Sequence, residues 1–315
     1  MDATVPSAPV IATVLAQLAR GFVMGAADIV PGVSGGTVAL VFGIYRRLVD
    51  SIRDAARALG SLVRLDLAEF RRRFVAIDWL FLVPLGVGIL VAVGSLASVI
   101  ETQLDDNPEE MAGLFFGLVA GSVVVALRLL DNHGPRHYGL MLAVGAAVFW
   151  LLGFQSGPVS GPTLLMFFGA GALAICAMIL PGISGSFILL MIGMYPAVIG
   201  AVHDRALAEV AAVGLGAVIG LAVFSTALGW VLDRAFDTVM SALIGLMIGS
   251  LRVLWPWPNG VGVISEEEDE AISGTGLEWP AGDEWVAPTV IAVLAFAAVL
   301  TFSWVASRYT EADID

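Results

Sequence analysis

Long apolar runs alternate with short polar stretches along the chain, and two of the runs are interrupted in the same way. Apolar blocks cover residues 9–29 with 31–49, 79–100, 111–130, 138–154, 162–180 with 181–202, 206–232, 238–254 and 286–306, each joined pair being one interrupted block. A helix needs about 20 apolar residues to cross the ~30 Å hydrocarbon core of a bilayer, and several blocks reach that length. The runs are continuous, which argues against the alternating pattern of a membrane barrel. The pattern predicts an all-α, polytopic integral membrane protein. The N-terminus has no basic segment ahead of its first apolar run, so no cleavable signal peptide is expected.

The interruptions are the informative part. Residues 26–45 read AADIVPGVSGGTVALVFGIY and residues 176–195 read CAMILPGISGSFILLMIGMY. A proline inside a helix removes a hydrogen bond and clashes with the preceding turn, so each block should stop near Pro31 or Pro181 and restart near Ser34 or Ser184. Ser34 or Thr37 can cap the new helix. Irregular backbone at membrane depth survives only where protein or a water-filled cavity satisfies it. A helix N-terminus with free N–H groups favours an anion. The competing reading is a plain proline kink between packed helices, which two matching copies make less economical.

The two stretches belong to a duplication. Aligned without gaps at an offset of 150, Ile29–Asp54 shares nine of 26 positions with its partner, among them Pro31/Pro181, Gly32/Gly182, Ser34/Ser184, Gly35/Gly185, Gly43/Gly193 and Tyr45/Tyr195. Later, GLVAGS at 117–122 matches GLMIGS at 245–250. The shorter offset there implies an insertion of roughly 20 residues in the first half, within the linker 46–77. Each half (1–160 and 161–315) then holds one re-entrant or broken-helix hairpin plus three transmembrane helices. Three crossings per half would invert the second repeat, an architecture known from transporters whose broken helices meet at the midplane.

Charge sets the orientation. The linker 46–77 carries eight arginines, whereas 101–110 and 255–285 are acidic. The positive-inside bias places 46–77 and both termini in the cytoplasm and 255–285 outside; Arg205 disagrees. The chain of 315 residues is 58% hydrophobic and only 14% charged, against roughly 25% charged in soluble domains. Its net charge is −13 and all 15 basic residues are arginine. An acid surplus without lysine predicts a high-salt environment. No exposed basic patch suggests nucleic acid.

Within the first block, Arg20 and Asp28 are charges at a depth where charge is costly and usually functional. Arg20 could pair an anion or snorkel to the surface. Asp28 could pair Arg20, serve as a proton or cation site, or cap the turn; its counterpart is Met178, so the halves are not equivalent. Tyr45 and Tyr195 read equally as interface anchors or ligands, and Arg128 and Arg252 as interfacial. The G-x-S-G spacing also fits an intramembrane serine protease, but that chemistry needs a base beside the serine, and His133, His137 and His203 fall in predicted loops. One cysteine, Cys176, excludes an internal disulfide and a cysteine-rich metal site. No cofactor, metal site or nucleotide loop is expected.

The segments RGFVMGAADIVPGVSGGTVALVFGIY and MILPGISGSFILLMIGMY resemble the family once catalogued as domain of unknown function 368, the PopT-type polyprenyl-phosphate (undecaprenyl-phosphate) translocases. The repeat plan extends the likeness to nearly the whole chain. The resemblance implies a flippase, not an enzyme, that returns a polyprenyl phosphate carrier across the cytoplasmic membrane. It implies headgroup contacts from Arg20, Asp28, Ser34, Gly35, Gly36, Thr37, Ser184, Gly185 and Ser186. The partners are then the lipid and the bilayer, with any coupling ion, H+ or Na+, left open. A lysine-free surface and a long acidic loop depart from the family's pattern and leave open whether the carrier is undecaprenyl or dolichyl. A transporter of a small soluble anion and a non-transporting membrane scaffold are the alternatives.

Overall fold

A computed structural model describes residues 10–29, 33–132, 134–153, 158–257 and 277–312. These residues form helices and connecting turns. The helices are α1 (Val10–Asp28), α2 (Gly35–Val41), α3 (Tyr45–Val63), α4 (Leu67–Ala76), α5 (Trp79–Asp106), α6 (Pro108–Leu127), α7 (Pro135–Leu151), α8 (Leu164–Ile179), α9 (Gly185–Met191), α10 (Tyr195–His203), α11 (Leu207–Arg234), α12 (Phe236–Ser250) and α13 (Val286–Ala312). Among the described residues, α1, α5, α6, α11 and α13 are long and apolar enough to cross a membrane, and α9 with α10 makes a sixth only if their 114° bend is one broken span.

The interrupted blocks break twice rather than once. Beyond the first break, α2 and α9 each last seven residues, an advance of only about 10 Å. Both end in the same way. Gly43 and Gly193 sit in the left-handed region at φ 67° and 68°, and the following N–H groups, Ile44 and Met194, reach back to the Ala39 and Leu189 carbonyls at 2.9 and 2.8 Å. This is a glycine-terminated helix stop that a side chain at that φ would strain. Pro31 lies outside the described residues. Pro181 lies between α8 and α9.

Two polar stretches are more helical than their composition suggested. The acidic segment 101–110 is helix except at Asn107: α5 runs to Asp106 and α6 restarts at Pro108. Proline at the first helical position loses no needed donor, and Glu109 and Glu110 then face the positive end of the α6 dipole. The arginine-rich linker forms α3 and α4. Here α3 has nineteen residues where α10 has nine, and only Asp204–Ala206 separate α10 from α11.

Helices pair through glycines that bring backbones into contact. Gly21 lies on Leu85, Gly25 on Ile89 and Ala92, and Gly88 on Leu18 and Phe22, so α1 runs alongside α5 in the same direction. Gly171 lies on Val213 and Gly216 and Gly220 on Ala172, joining α8 to α11 in the same register. Gly113, Gly117 and Gly121 seat α13 on α6; Gly245 and Gly249 seat α7 on α12. Small residues of this kind drive helix association in lipid, where apolar burial gives no advantage.

Ion pairs fix the relative directions. Arg47, near the start of α3, binds Asp78 at the start of α5, at 2.6 Å. Its neighbour Arg46 binds Asp233 at the end of α11, at 2.9 Å, and Arg53 binds the same aspartate at 2.8 Å. The first turn of α5 and the last turn of α11 therefore share one face of the molecule, and these two long helices run in opposite senses. Likewise Asp131, just past α6, donates its N–H to Asp237 in the first turn of α12 at 3.0 Å.

Candidate functional site

Each side chain at the first break has a defined local task. Ser34 caps α2: its hydroxyl accepts the Gly36 N–H at 3.0 Å. The Gly35 N–H donates to Asp28 Oδ1 at 2.6 Å, so the carboxylate at the end of α1 closes over the first turn of α2. The Thr37 N–H returns to the Ser34 carbonyl at 2.9 Å. Asp28 thus acts as a cap on the turn, and a carboxyl group already occupies the N-terminal end of α2. A Cβ at 35 would lie 2.6 Å from Asp28 Oδ2 and would push the carboxyl group off the Gly35 N–H.

The two breaks meet. The Ser34 hydroxyl donates to the Met178 carbonyl at 3.0 Å, and the Gly182 N–H donates to the Thr37 hydroxyl at 2.8 Å. A Cβ on Gly36 would stand 2.7 Å from the Ile179 carbonyl oxygen. The last turn of α8 and the turn after it therefore rest on the first turn of α2, held by hydrogen bonds spanning about 145 residues of sequence. Gly182 has φ 85° and packs on Met247, which admits only glycine. In the second break, the Ser184 and Ser186 hydroxyls bond each other at 2.7 Å, and Gly185 lies on Met178 and Ala174. Ser34, Thr37 and Ser184 are all buried.

Of the nine residues singled out from the sequence, Asp28, Ser34, Gly35, Gly36 and Thr37 gather at the start of α2, and Ser34, Gly36 and Thr37 touch the end of α8 or the turn after it. Ser184, Gly185 and Ser186 lie just beyond that turn, at the start of α9. Arg20 stands apart, eight residues and some 12 Å of helix before Asp28. Its guanidinium bonds Gln17 at 3.4 Å, and it makes no ion pair with Asp28 among the described residues. Tyr45 is buried rather than interfacial, and its hydroxyl has no hydrogen-bond partner among the described residues. Tyr195 is half-buried. Arg252 stacks over Phe149. His137 and His203 belong to the ends of α7 and α10 rather than to loops; His133 lies outside the described residues. Residue-by-residue reading missed the Met178 carbonyl and the Gly182 N–H, backbone groups whose side chains give no polar signal.

The family model described as VCA0040-like, undecaprenyl phosphate translocase-like, matches residues 24–272. The chain belongs to this family. The matched residues take in both breaks and begin just after Arg20. Two curated relatives carry the name polyprenyl-phosphate transporter. The one from Vibrio cholerae is 42% identical over 249 residues, covering 77% of this chain and 78% of the relative. The one from Staphylococcus aureus is 31% identical over 258 residues, covering 76% of this chain and 86% of the relative. Both are named for transport rather than for an enzymatic reaction, and the chain, like its translocase-like family, is a multi-pass membrane protein. No solved structure matches the chain.

Proposed function

We propose that the chain is a polyprenyl-phosphate transporter that recycles the carrier lipid across the cytoplasmic membrane, with the headgroup bound where the two breaks meet. The observation that carries this reading is the hydrogen-bonded contact between α2 and the end of α8. It brings two polar, glycine-rich turns together inside an otherwise apolar helix bundle. An ionised headgroup cannot pass through hydrocarbon unaided; one charged side chain at mid-bilayer already costs roughly 3 kcal/mol on insertion scales. Fixed donors must replace its water. A phosphate would take the place of the Asp28 carboxylate at the Gly35 N–H, joined by the hydroxyls of Ser34, Thr37, Ser184 and Ser186 and by the backbone at Gly36 and Gly185. Arg20 lies within electrostatic range of Arg47, and the pair would draw the anion toward the site rather than bind it there.

Alternating access follows from inverted repeats at 1–160 and 161–315. Several features support that reading: the 150-residue offset of the two breaks, the matched helix stops at Gly43 and Gly193, the like pairing of α1 with α5 and α8 with α11, and the opposite senses of α5 and α11. Both hairpins are then re-entrant, since α2 and α9 are too short to reach the far side, and the arginine-rich face of α3 and α4 is cytoplasmic.

The test is scrambling of a fluorescent polyprenyl phosphate in proteoliposomes. The protein should accelerate it well above empty vesicles, and Gly35→Val should abolish the acceleration while thermal unfolding stays cooperative. Transport of soluble phosphate without lipid movement would instead make the chain a small-anion transporter.

A further inference from the structure

The headgroup site described above has a cavity beside it whose chemistry differs from its own. A groove of about 480 Å³ runs between α1, α2, α6 and α13. Among the described residues, Thr37 and Ser122 supply its only polar side chains; the rest of the described wall is apolar, with Phe115 and Val119 from α6 and Ala298 and Phe302 from α13. Thr37 is common to the groove and to the contact between the breaks, since its hydroxyl holds the Gly182 N–H. The groove therefore starts at the proposed phosphate and leads away from it through hydrocarbon-like surface.

Among the described residues, side chains fill the corresponding place in the second half. The residue 150 positions after Thr37 is Phe187, fully buried against Leu152 and Val253. Met191, the counterpart of Val41, packs on the same cluster with Val148 of α7. One side of the joined breaks is open to an apolar ligand and the other is plugged by an aromatic ring.

We infer that the groove between α1, α2, α6 and α13 holds the first isoprenoid units of a prenyl phosphate while its phosphate lies at the two breaks. The inference rests on the headgroup reading. A headgroup inside the bundle leaves its chain with one requirement, an apolar path out, and the groove beside Thr37 provides it. Groove and lipid tails are equally apolar, so the groove adds little affinity. It fixes where the chain leaves and excludes nothing at the plugged side but the chain itself.

The test uses the full chain in phosphatidylcholine nanodiscs and a farnesyl phosphate carrying a diazirine on its first isoprene unit. Photolabel should map to 111–122 and 298–302. Excess unlabelled farnesyl phosphate should reduce it at least tenfold, and farnesol at the same concentration should not. Ala298→Trp, which narrows the groove, should cut the competable label at least tenfold without moving the unfolding midpoint. Competable label mapping elsewhere, or wild-type labelling in Ala298→Trp, would overturn the groove while leaving the headgroup reading intact. Label in the groove that farnesyl phosphate cannot displace would make its occupant a bilayer lipid and overturn the inference. If no phosphate-competable label appears anywhere, both readings fall.

Discussion

On the proposed headgroup reading, Asp28 holds the position that an incoming phosphate needs. Its carboxylate accepts the Gly35 N–H at 2.6 Å, and a charge-assisted hydrogen bond is worth roughly 1.5–3 kcal/mol against about 1 for a neutral one. Asp28→Asn keeps an acceptor but removes the charge. It should tighten binding of farnesyl phosphate about fivefold, the equivalent of roughly 1 kcal/mol, as measured by titration calorimetry in nanodiscs; weaker binding would mean that Asp28 assists the headgroup rather than competing with it. Tyr45 offers a second test. A buried hydroxyl without a partner is a net cost, so Tyr45→Phe should leave stability unchanged or raise it by about 1 kcal/mol. If lipid movement is lost while stability holds, the hydroxyl serves the substrate. The sequence marked Asp28 as functional but left three roles open. The choice depends on how α2 folds back over seven residues, and local spacing carries no record of that return.

At the level of helices, the apolar runs were enough to find α5, α6, α11 and α13. The blocks 138–154 and 238–254, by contrast, became α7 and α12, of 17 and 15 residues, short of a straight span. The prolines marked the first break of each interrupted block but not the second, at Gly43 and Gly193. The sequence also holds the small-residue spacings that bring helices together: Gly21 and Gly25, Gly117 and Gly121, Gly216 and Gly220, Gly245 and Gly249. It does not say which helix each receives. In lipid any small face can dock on any other, and the pairing of α6 with α13 and of α12 with α7 emerges only in three dimensions. The helical course of 101–106 was hidden because acidic residues read as loop, although they extend α5 past its apolar part. The equivalence of the two pairings is testable. A Cβ on Gly88 would stand 2.8 Å from the Phe22 nitrogen, and one on Gly216 would stand 3.1 Å from the Ala172 nitrogen. Backbone cannot step aside as a side chain can, so Gly88→Val and Gly216→Val should each destabilise by roughly 1–3 kcal/mol, the usual cost of overpacking. Matched losses in thermal unfolding are expected; a neutral Gly216→Val would mean that α8 and α11 are not packed as α1 and α5 are.

For the molecule as a whole, the breaks and the charge pattern make separate statements that converge on one arrangement. Arg46, Arg47 and Arg53 gather the start of α5 and the end of α11 at the arginine-rich face. Asn107, between α5 and α6, is then a full 28-residue helix away from Asp78, about 42 Å along the axis and enough to clear the bilayer core. The nine shared positions led to the expectation that the two breaks meet, and Ser34 and Thr37 do bond Met178 and Gly182; the partner atoms were not legible, because they are backbone groups. We propose, from the arginine asymmetry, that the arginine-rich face is the cytoplasmic one. Single cysteines at Gly60 on α3, where a side chain meets no neighbour, and at exposed Asp283 before α13, placed in a Cys176→Ala background, should report opposite sides. In intact cells an impermeant maleimide should label the cysteine at 283 and reach the one at 60 only after permeabilisation. Labelling of both from outside would break the antiparallel arrangement. Labelling of 60 alone would keep that arrangement and turn it over in the membrane, with the lipid headgroup then approaching Arg20 and Arg47 from outside.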